Sequence, residues 1–402
     1  MAPLQLDLSI LIILKRCHNC QLSIVNCQFG KAAKQQFICR SIYLLYSLYR
    51  LSDFLQGIWT DFPFSAIIAP YIFWKEGISL NYVHLKGTGL AVSKACLGTM
   101  TFGGQVNEAD SIRIIHAALD QGINFVDTAD LYYHGESETV TGKALVGRRE
   151  NVILATKVFN PMSDDPNDRG LNRRHILDAL DKSLKRLQTD YVDIYYLHQP
   201  DYRTPIAETL ETMDTLVRSG KIRYIGVSNY ASWQISDLLA CARENHWNGP
   251  VVTQNVYNLL TRGIEEELIP QTQAHDLGVV VYNPLMSGLL TGKHAKGHPA
   301  EGSRLADNPM YNKRYWSDEN FDASEALAAV ARQAGLTPAE LALRWCANQP
   351  GIHSVLVGVS KLSHLEPNLS AVLAEPLPQD VLDACDKVWN GMQVGTRFRY
   401  YR

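Results

Sequence analysis

The sequence predicts an α/β protein with a (β/α)8 barrel behind an irregular N-terminal extension. Three observations predict this fold: strand-like and helix-like segments alternate from about residue 80 onward, the alternation repeats eight times, and polar residues follow the ends of several strands. Strands that alternate regularly with helices imply a parallel sheet, and eight such units close into a barrel. An open doubly wound sheet is the competing architecture, but the Gly-x-Gly-x-x-Gly turn that it needs for a dinucleotide is missing.

The predicted strands are short runs rich in β-branched and aromatic residues. In chain order they are KACLGTM, INFVD, NVILATK, YVDIYYLH, IRYIGVSN, VVTQNVYN, VVVYNP and HSVLVGVS. Before them, NYVHLKGTGLAVS holds two further short apolar segments separated by Gly-rich turns. The helical segments between the strands carry end signals: Gly122 and Gly220 end two of them, and Asn172 is the expected N-cap of a third.

Composition describes a globular protein without a nucleic-acid partner. Hydrophobic residues make up 46% of the 402, charged residues make up 20%, and the net charge of -3 provides no basic field. Four cysteines, Cys96, Cys241, Cys346 and Cys385, are scattered and are expected to be buried small side chains of a reduced, cytoplasmic protein. Four others crowd near the start, where Cys17 and Cys20 form one Cys-x-x-Cys with no second pair at zinc spacing, so no metal site is predicted.

Residues 1–79 differ from the rest of the chain. Their apolar runs are short and fall well below the roughly 20 residues of a membrane-spanning helix, so no membrane association is expected. The charges around LSILIIL also have the order opposite to a secretory signal, because Asp7 precedes the run and Lys15 and Arg16 follow it. We expect an extension that is poorly structured or not part of the mature protein, and residues 80–402 as the barrel. An organelle presequence is the alternative, since the stretch through Arg50 is poor in acidic residues and mildly basic.

Four polar residues carry the functional prediction: Asp127, Tyr132, Lys157 and His198. Three of them end or follow successive strands, and Tyr132 lies five residues beyond Asp127 in the loop after the first of these strands. Polar groups at the strand ends are what an α/β barrel uses to build an active site. Each of these residues alone has an ordinary structural explanation. Packing does not explain why polar side chains occur at the ends of three successive strands.

The four side chains suit proton transfer to a carbonyl oxygen. A tyrosine has a pKa of about 10, so it gives up its proton readily only beside a cation. Lys157 can supply that charge, Asp127 can pair with the buried ammonium, and His198 can donate a hydrogen bond to the substrate oxygen.

The sequence resembles the aldo-keto reductase superfamily, and most closely its branches of potassium-channel β subunits and bacterial reductases. The resemblance covers residues 81–402 and rests on VDTADLYYHGESE, ILATKV, LHQPD, IRYIGVSNY, TQNVYN and VYNPLMSGLLTGK. It implies a barrel that binds NADPH and reduces aldehydes or ketones to alcohols, with Tyr132 as general acid, Lys157 and Asp127 lowering its pKa, and His198 orienting the carbonyl. A homo-oligomer is compatible with this reading.

The resemblance also implies cofactor contacts. Ser228, Asn229 and Gln254 correspond to residues that bond the nicotinamide amide, and Tyr282 corresponds to the residue that stacks on its ring. The positions implied for the pyrophosphate and ribose are Leu285, Ser287, Lys293 and Arg304, and those for the adenosine 2′-phosphate are Ser360, Lys361, His364 and Asn368.

The chain departs from the family pattern in two places. Many relatives carry Arg near Lys361 and Gln at the position of His364, so NADH stays an alternative to NADPH, because lysine cannot form the bidentate phosphate contact of arginine. Relatives also commonly follow the catalytic tyrosine with glycine, whereas Tyr133 and His134 intervene here and are expected to reshape the carbonyl pocket.

Two long segments are expected to select the substrate, a polar connection after Lys293 and the C-terminal tail. Their candidate contacts are Tyr311, Trp316, Arg397 and Tyr400. Two other functions stay open: a weakly catalytic nucleotide-sensing subunit of the channel β-subunit type, and a barrel hydrolase or isomerase without a nicotinamide.

Overall fold

A computed structural model describes residues 82–392 and 400–401. The predicted extension of residues 1–79, with its Cys-x-x-Cys, lies outside the described residues. The first described element is an antiparallel hairpin of β1 (Tyr82–His84) and β2 (Ala91–Ser93), in which Val83 is paired with Val92. This hairpin corresponds to the two short apolar segments that precede the predicted barrel.

Eight parallel strands, β3 to β10, close into a barrel, which confirms the predicted fold. Their order around the barrel is β10, β3, β4, β5, β6, β7, β8, β9, so each strand pairs with its neighbours in sequence and the last pairs with the first. The strands are Ala95–Gly98, Phe125–Asp127, Ile153–Val158, Val192–Leu197, Ile222–Ser228, Pro250–Val256, Gly278–Tyr282 and Ser354–Gly358. Because all eight point the same way, their carboxyl ends form one face.

Helices surround the barrel and join its strands. In chain order α1 to α12 are Glu108–Asp120, Glu136–Leu145, Arg173–Leu187, Ile206–Arg218, Ser232–Asn245, Leu268–Ala274, Arg304–Asp307, Pro309–Tyr315, Asp318–Gln333, Pro338–Ala347, Leu365–Leu373 and Gln379–Gly391. The predicted end signals are confirmed. The Asn172 side chain accepts from the backbone N–H of His175 at the start of α3, and Gly122 and Gly220 have φ of 90° and 75° just beyond α1 and α4.

Side-chain alternation divides the core into two layers. Residues such as Leu97, Val126 and Leu154 face the helices, and their neighbours Cys96, Phe125 and Ala155 fill the inside of the barrel. Leu85, in the loop of the β1–β2 hairpin, is fully buried in that inner layer. It lies so close to Gly278 that a Cβ on this glycine would be 2.4 Å from the leucine side chain. The hairpin thus closes the amino-terminal end of the barrel.

The remaining cysteines are free thiols within the described part of the chain. Cys96, Cys346 and Cys385 are buried as expected, and Cys241 is half-buried. Among residues 82–392, no helix is long and apolar enough to cross a membrane. The same stretch holds no cluster of three or more His, Cys, Asp or Glu side chains arranged to bind a metal ion.

Candidate active site

The predicted catalytic residues continue the inward-facing rows of the barrel strands. Asp127 follows Phe125 by two residues in β4, and Lys157 follows Ala155 by two in β5. Gln254 has the same relation to Val252 in β8. Since alternate residues share a face, the inner apolar layer becomes polar at the carboxyl ends of the strands. The site is therefore set by strand register.

Tyr132 is positioned by an unusual turn after β4. Three successive residues, Tyr133, His134 and Gly135, have φ of 48°, 53° and 96°, which is the left-handed region that side chains other than glycine rarely adopt. The ring of Tyr133 lies against Gly104, where a Cβ would be 1.9 Å from a ring carbon. The turn ends the loop that starts at Asp127 and brings Tyr132 back over the barrel.

Lys157 is at the centre of the site. Its buried ammonium pairs with Asp127, donates to the backbone carbonyl of Thr128 at 2.7 Å, and lies 3.5 Å from the hydroxyl oxygen of Tyr132. Gln254 donates to the other Asp127 oxygen at 2.8 Å. The structure thus brings Asp127, Tyr132 and Lys157 together as predicted, and it adds Thr128 and Gln254 to the group that holds the lysine.

The surroundings fix the charges of these groups. Burial by itself lowers the pKa of Lys157, and Asp127 and Tyr132 more than offset it, so the net pKa is raised and the ammonium stays charged. Burial raises the pKa of Tyr132, and Lys157 opposes that shift without overcoming it. The lysine therefore limits the rise in the tyrosine pKa and produces no net lowering, so the phenol keeps its proton at neutral pH.

His198 follows β6 and lies beside Tyr132. The two rings meet edge to face, with centroids 6.1 Å apart. The backbone of His198 is held on both sides, because its N–H donates to Val158 at 2.9 Å and its carbonyl accepts from the Asn229 amide at 2.8 Å. An amide nitrogen of Asn160 lies 3.2 Å from its Nδ1. All four predicted catalytic residues therefore meet at the mouth of the barrel.

The residues predicted to bind the nicotinamide form a second connected group. The Asn229 amide donates to the hydroxyl of Ser228 at 3.0 Å, and its oxygen accepts from the hydroxyl of Tyr282 at 2.7 Å. Asn229 has a φ of 62°, which turns the chain at the end of β7. Gln254 joins this group to the first one through Asp127. Amide and aromatic groups on one side of the mouth would suit the nicotinamide, which is a planar ring that carries a carboxamide.

The predicted phosphate ligands form a cluster of positive charge. Burial lowers the pKa of Lys293, and the neighbouring charges of Arg304 and Lys361 lower it further. Burial, Lys361 and Lys293 lower the pKa of His364 in the same way. Within the described residues, Lys293, Arg304 and Lys361 have no carboxylate partner within salt-bridge distance. These cations repel one another and have no counter-charge among the described residues. They would therefore suit the phosphates of a dinucleotide.

The other predicted phosphate and ribose contacts lie on the same two segments. Leu285 and Ser287 belong to a tight turn after β9, where the Ser287 N–H donates to the Asn283 side chain at 2.6 Å. Ser360 follows β10, and Asn368 lies in α11. These residues therefore lie on the segments that follow β9 and β10, as Lys293 and Lys361 do.

The candidate substrate contacts separate into different environments. The hydroxyl of Tyr311 in α8 donates to the sulfur of Met100 at 3.5 Å, and its nearness raises the pKa of Tyr132, so Tyr311 borders Tyr132. Trp316 packs against His294 and Phe321, within the connection that follows Lys293. Tyr400 is buried and its hydroxyl pairs with Glu267, so it anchors the C-terminus. Arg397 lies outside the described residues.

Asp130 is a buried acid that the sequence pattern does not reveal. Neither of its carboxyl oxygens has a partner at hydrogen-bonding geometry in the described residues. Burial raises its pKa well above the usual range and Glu138 raises it further, while Arg186, Lys157 and the Leu131 N–H, which is close but outside hydrogen-bonding geometry, oppose only part of the shift. Glu138 itself is satisfied, because Arg186 donates to it at 2.8 Å. Asp130 is therefore held as a neutral acid.

We expect Asp130→Asn to stabilise the protein at neutral pH by about 1 kcal/mol or more, because folding protonates the Asp130 carboxyl, which is ionised in the unfolded chain, whereas the amide takes up no proton. Because the folded-state pKa of Asp130 is raised, its contribution is favourable below pH ~4, near the unfolded pKa, and is lost as pH rises through the folded pKa. The gain in unfolding free energy, measured in urea, should therefore vanish in acid. Asp190→Asn removes an exposed carboxylate and is the control. An equal gain at all pH values would contradict this account.

These features are typical of one class of barrel protein: a tyrosine hydroxyl lies beside a charged lysine, and a cluster of cations follows the strands of the same barrel. The chain belongs to the Aldo/keto reductase family, whose sequence pattern it matches over residues 94–390. Members of this family are oxidoreductases that generally use NAD(P)H and act on small carbonyl compounds.

Three relatives illustrate the range of this similarity. The chain is 36% identical over 317 residues to a rice (Oryza sativa subsp. japonica) protein named probable voltage-gated potassium channel subunit beta, covering 77% of this chain and 96% of that protein. It is 38% identical over 324 residues to the uncharacterized oxidoreductase YrpG of Bacillus subtilis, covering 78% and 97%. It is 35% identical over 312 residues to aflatoxin B1 aldehyde reductase member 2 of Rattus norvegicus, covering 73% and 84%.

Proposed function

We propose that this protein reduces aldehydes or ketones to alcohols with NADPH. The observation that carries the proposal is the hydroxyl of Tyr132, 3.5 Å from the ammonium of Lys157 and beside the ring of His198. When bound, NADPH supplies the hydride. Ser228, Asn229, Gln254 and Tyr282 would hold its nicotinamide, and Lys293, Arg304, Lys361 and His364 would face its phosphates.

The side chains of the site support proton transfer in the direction of reduction. Tyr132 keeps its proton at neutral pH, so it is ready to donate from its hydroxyl to a carbonyl oxygen that gains negative charge. The charged Lys157 stabilises the phenolate that results, and Asp127 keeps the lysine in place. His198 donates a hydrogen bond to the same oxygen. Alcohol oxidation would need the phenolate instead, which the raised pKa of Tyr132 disfavours at neutral pH.

The proposal is tested by mixing purified protein with NADPH and a panel of aliphatic and aromatic aldehydes and ketones. We expect the absorbance of NADPH to fall and an alcohol to form in equal amount. Tight NADPH binding without turnover on any member of the panel would overturn the proposal.

Tight binding without turnover would favour a nucleotide-sensing subunit, which the name of the rice relative suggests. The presence of all four catalytic side chains in contact argues for the enzyme, because a sensor needs no proton donor. A pull-down that recovers a stable channel partner, together with slow turnover, would support the sensor. Failure to quench or shift nucleotide fluorescence at all would instead favour a barrel enzyme without a nicotinamide.

The preference for NADPH over NADH is attributed to Lys361. We expect Lys361→Ala to raise the KM for NADPH about tenfold, the value of one charge-assisted hydrogen bond, and to leave the KM for NADH unchanged. Steady-state kinetics with both nucleotides measure the effect. Lys387→Ala removes an exposed lysine of α12 and is the matched control. Equal losses with the two nucleotides would place Lys361 away from the 2′-phosphate.

A further inference from the structure

The side chain of Asn160 lies against Nδ1 of the His198 ring. Its amide nitrogen lies 3.2 Å from Nδ1, at a hydrogen-bonding distance. An amide nitrogen can only donate, so Nδ1 must accept and carry no proton. In a neutral imidazole the proton then lies on Nε2.

The backbone holds Asn160 in the place that this contact needs. Pro161 follows it and restricts its backbone to extended conformations. The carbonyl of the preceding residue, Phe159, accepts from the Gly170 N–H at 2.7 Å, which closes the loop that starts at Asn160. The side chain is half-buried. Asn160 is therefore held in the loop just after β5, next to β6, which His198 follows.

The tautomer of His198 decides whether it can orient a carbonyl. A ring with its proton on Nε2 can donate to a substrate oxygen, whereas a ring with its proton on Nδ1 presents a lone pair that repels that oxygen. The backbone of His198 is already fixed by Val158 and Asn229, so the remaining freedom is the ring and its proton.

We propose that Asn160 is a positioning residue, whose amide donates to Nδ1 of His198 and so keeps the proton on Nε2, facing the carbonyl oxygen. This inference rests on the proposed function, because a hydrogen-bond donor at Nε2 has a role only if a carbonyl binds there. The opposite orientation of the same amide, with its oxygen toward Nδ1, would give the opposite tautomer. The tautomer is measurable without any turnover.

The experiment is nitrogen NMR of the whole protein labelled with ¹⁵N-histidine, at about pH 8, where a histidine of ordinary pKa near 6.5 is neutral. The chain has 12 histidines, and the spectrum of His198→Gln identifies the signals of His198 by their loss. We expect an unprotonated Nδ1 and a protonated Nε2. Asn160→Asp places an acceptor at the same position, so Nδ1 should become protonated. Asn167→Asp makes the same charge change in the same loop and should leave His198 as it is.

Kinetics supply the second readout. We expect Asn160→Leu, which cannot donate, to lower kcat for aldehyde reduction on the order of tenfold, the value of one hydrogen bond, with NADPH affinity unchanged. A protonated Nδ1 in the parent protein, or an Asn160→Asp protein with the parent tautomer, would overturn the inference. An unchanged kcat in Asn160→Leu would overturn it too. If instead no carbonyl is reduced by the parent while Nδ1 is unprotonated, the proposed function fails and the positioning contact stands.

Discussion

Tyr132→Phe is expected to lose about 10²- to 10⁴-fold in kcat for carbonyl reduction, the usual contribution of a positioned general acid. The ring that meets His198 edge to face is retained, so the shape of the pocket is preserved. The lost contact with Lys157 is long, at 3.5 Å, so the unfolding free energy should change by less than about 1 kcal/mol. NADPH titration should give the parent affinity, because the Tyr132 hydroxyl is expected to contact the carbonyl substrate and not the nucleotide.

Tyr82→Phe is the matched control for that variant. It also removes one tyrosine hydroxyl, which donates to the Gly122 carbonyl at 2.9 Å in the hairpin at the other end of the barrel. Its activity should equal that of the parent. Parent-like activity in Tyr132→Phe would mean that another group supplies the proton, and the assignment of the acid would have to be abandoned.

Lys157→Met is expected to damage both stability and activity. The substitution leaves Asp127 buried with no ammonium partner, and the loss of one member of a buried ion pair costs about 3–5 kcal/mol in unfolding free energy. The activity of the fraction that stays folded should fall at least as far as in Tyr132→Phe, because the phenolate would form in a buried site without a cation. Denaturant unfolding and single-turnover kinetics measure the two effects separately.

The double variant Lys157→Met with Asp127→Leu distinguishes the lost charge from the lost packing. It removes both charges, so it should recover part of the stability and none of the activity. Lys143→Met is the surface control: its ion pair with Glu108 is about half exposed on both sides, and its loss should cost less than about 1 kcal/mol. No recovery in the double variant would indicate that the stability loss has a cause other than the isolated carboxylate.

Much of the barrel could be predicted because each strand has its own local signal. Runs such as NVILATK and YVDIYYLH combine a short length with β-branched and aromatic residues, and helix ends at Asn172 and Gly220 bound the elements between them. Strand order then follows from the rule that successive parallel strands are neighbours. The hairpin that closes the barrel was harder to predict, because β1 and β2 have three residues each.

The catalytic group could be predicted in part, for a related reason. Asp127 and Lys157 occupy the last inward positions of strands, and this position can be read from alternation alone. The contact of Gln254 with Asp127 joins residues 127 positions apart, and the carbonyl of Thr128 carries no sequence signal at all. Asn160 follows β5 within an ordinary polar loop, so nothing in its own segment points to His198.

The conformation of the turn after β4 could not be predicted from local sequence preferences. Tyrosine and histidine have little intrinsic tendency toward positive φ, so local preference argues against the conformation of Tyr133 and His134. Tertiary contacts override that preference, because Gly104 leaves space for the Tyr133 ring. The resemblance indicated that these two residues intervene before the glycine that commonly follows the tyrosine in relatives, and the structure shows the space beside Gly104 that the Tyr133 ring occupies.

The hairpin loop that seats Leu85 in the barrel also bears on how the proposed acid would regain its proton. Apolar side chains such as Phe125, Ile194 and Val280 fill the interior together with that leucine. If Tyr132 donates its proton as proposed, the open side at the carboxyl ends of the strands is the expected route for the proton that replaces it. Departure of the alcohol and reprotonation of the tyrosine would then share one doorway, and an occupant that stays there would delay both.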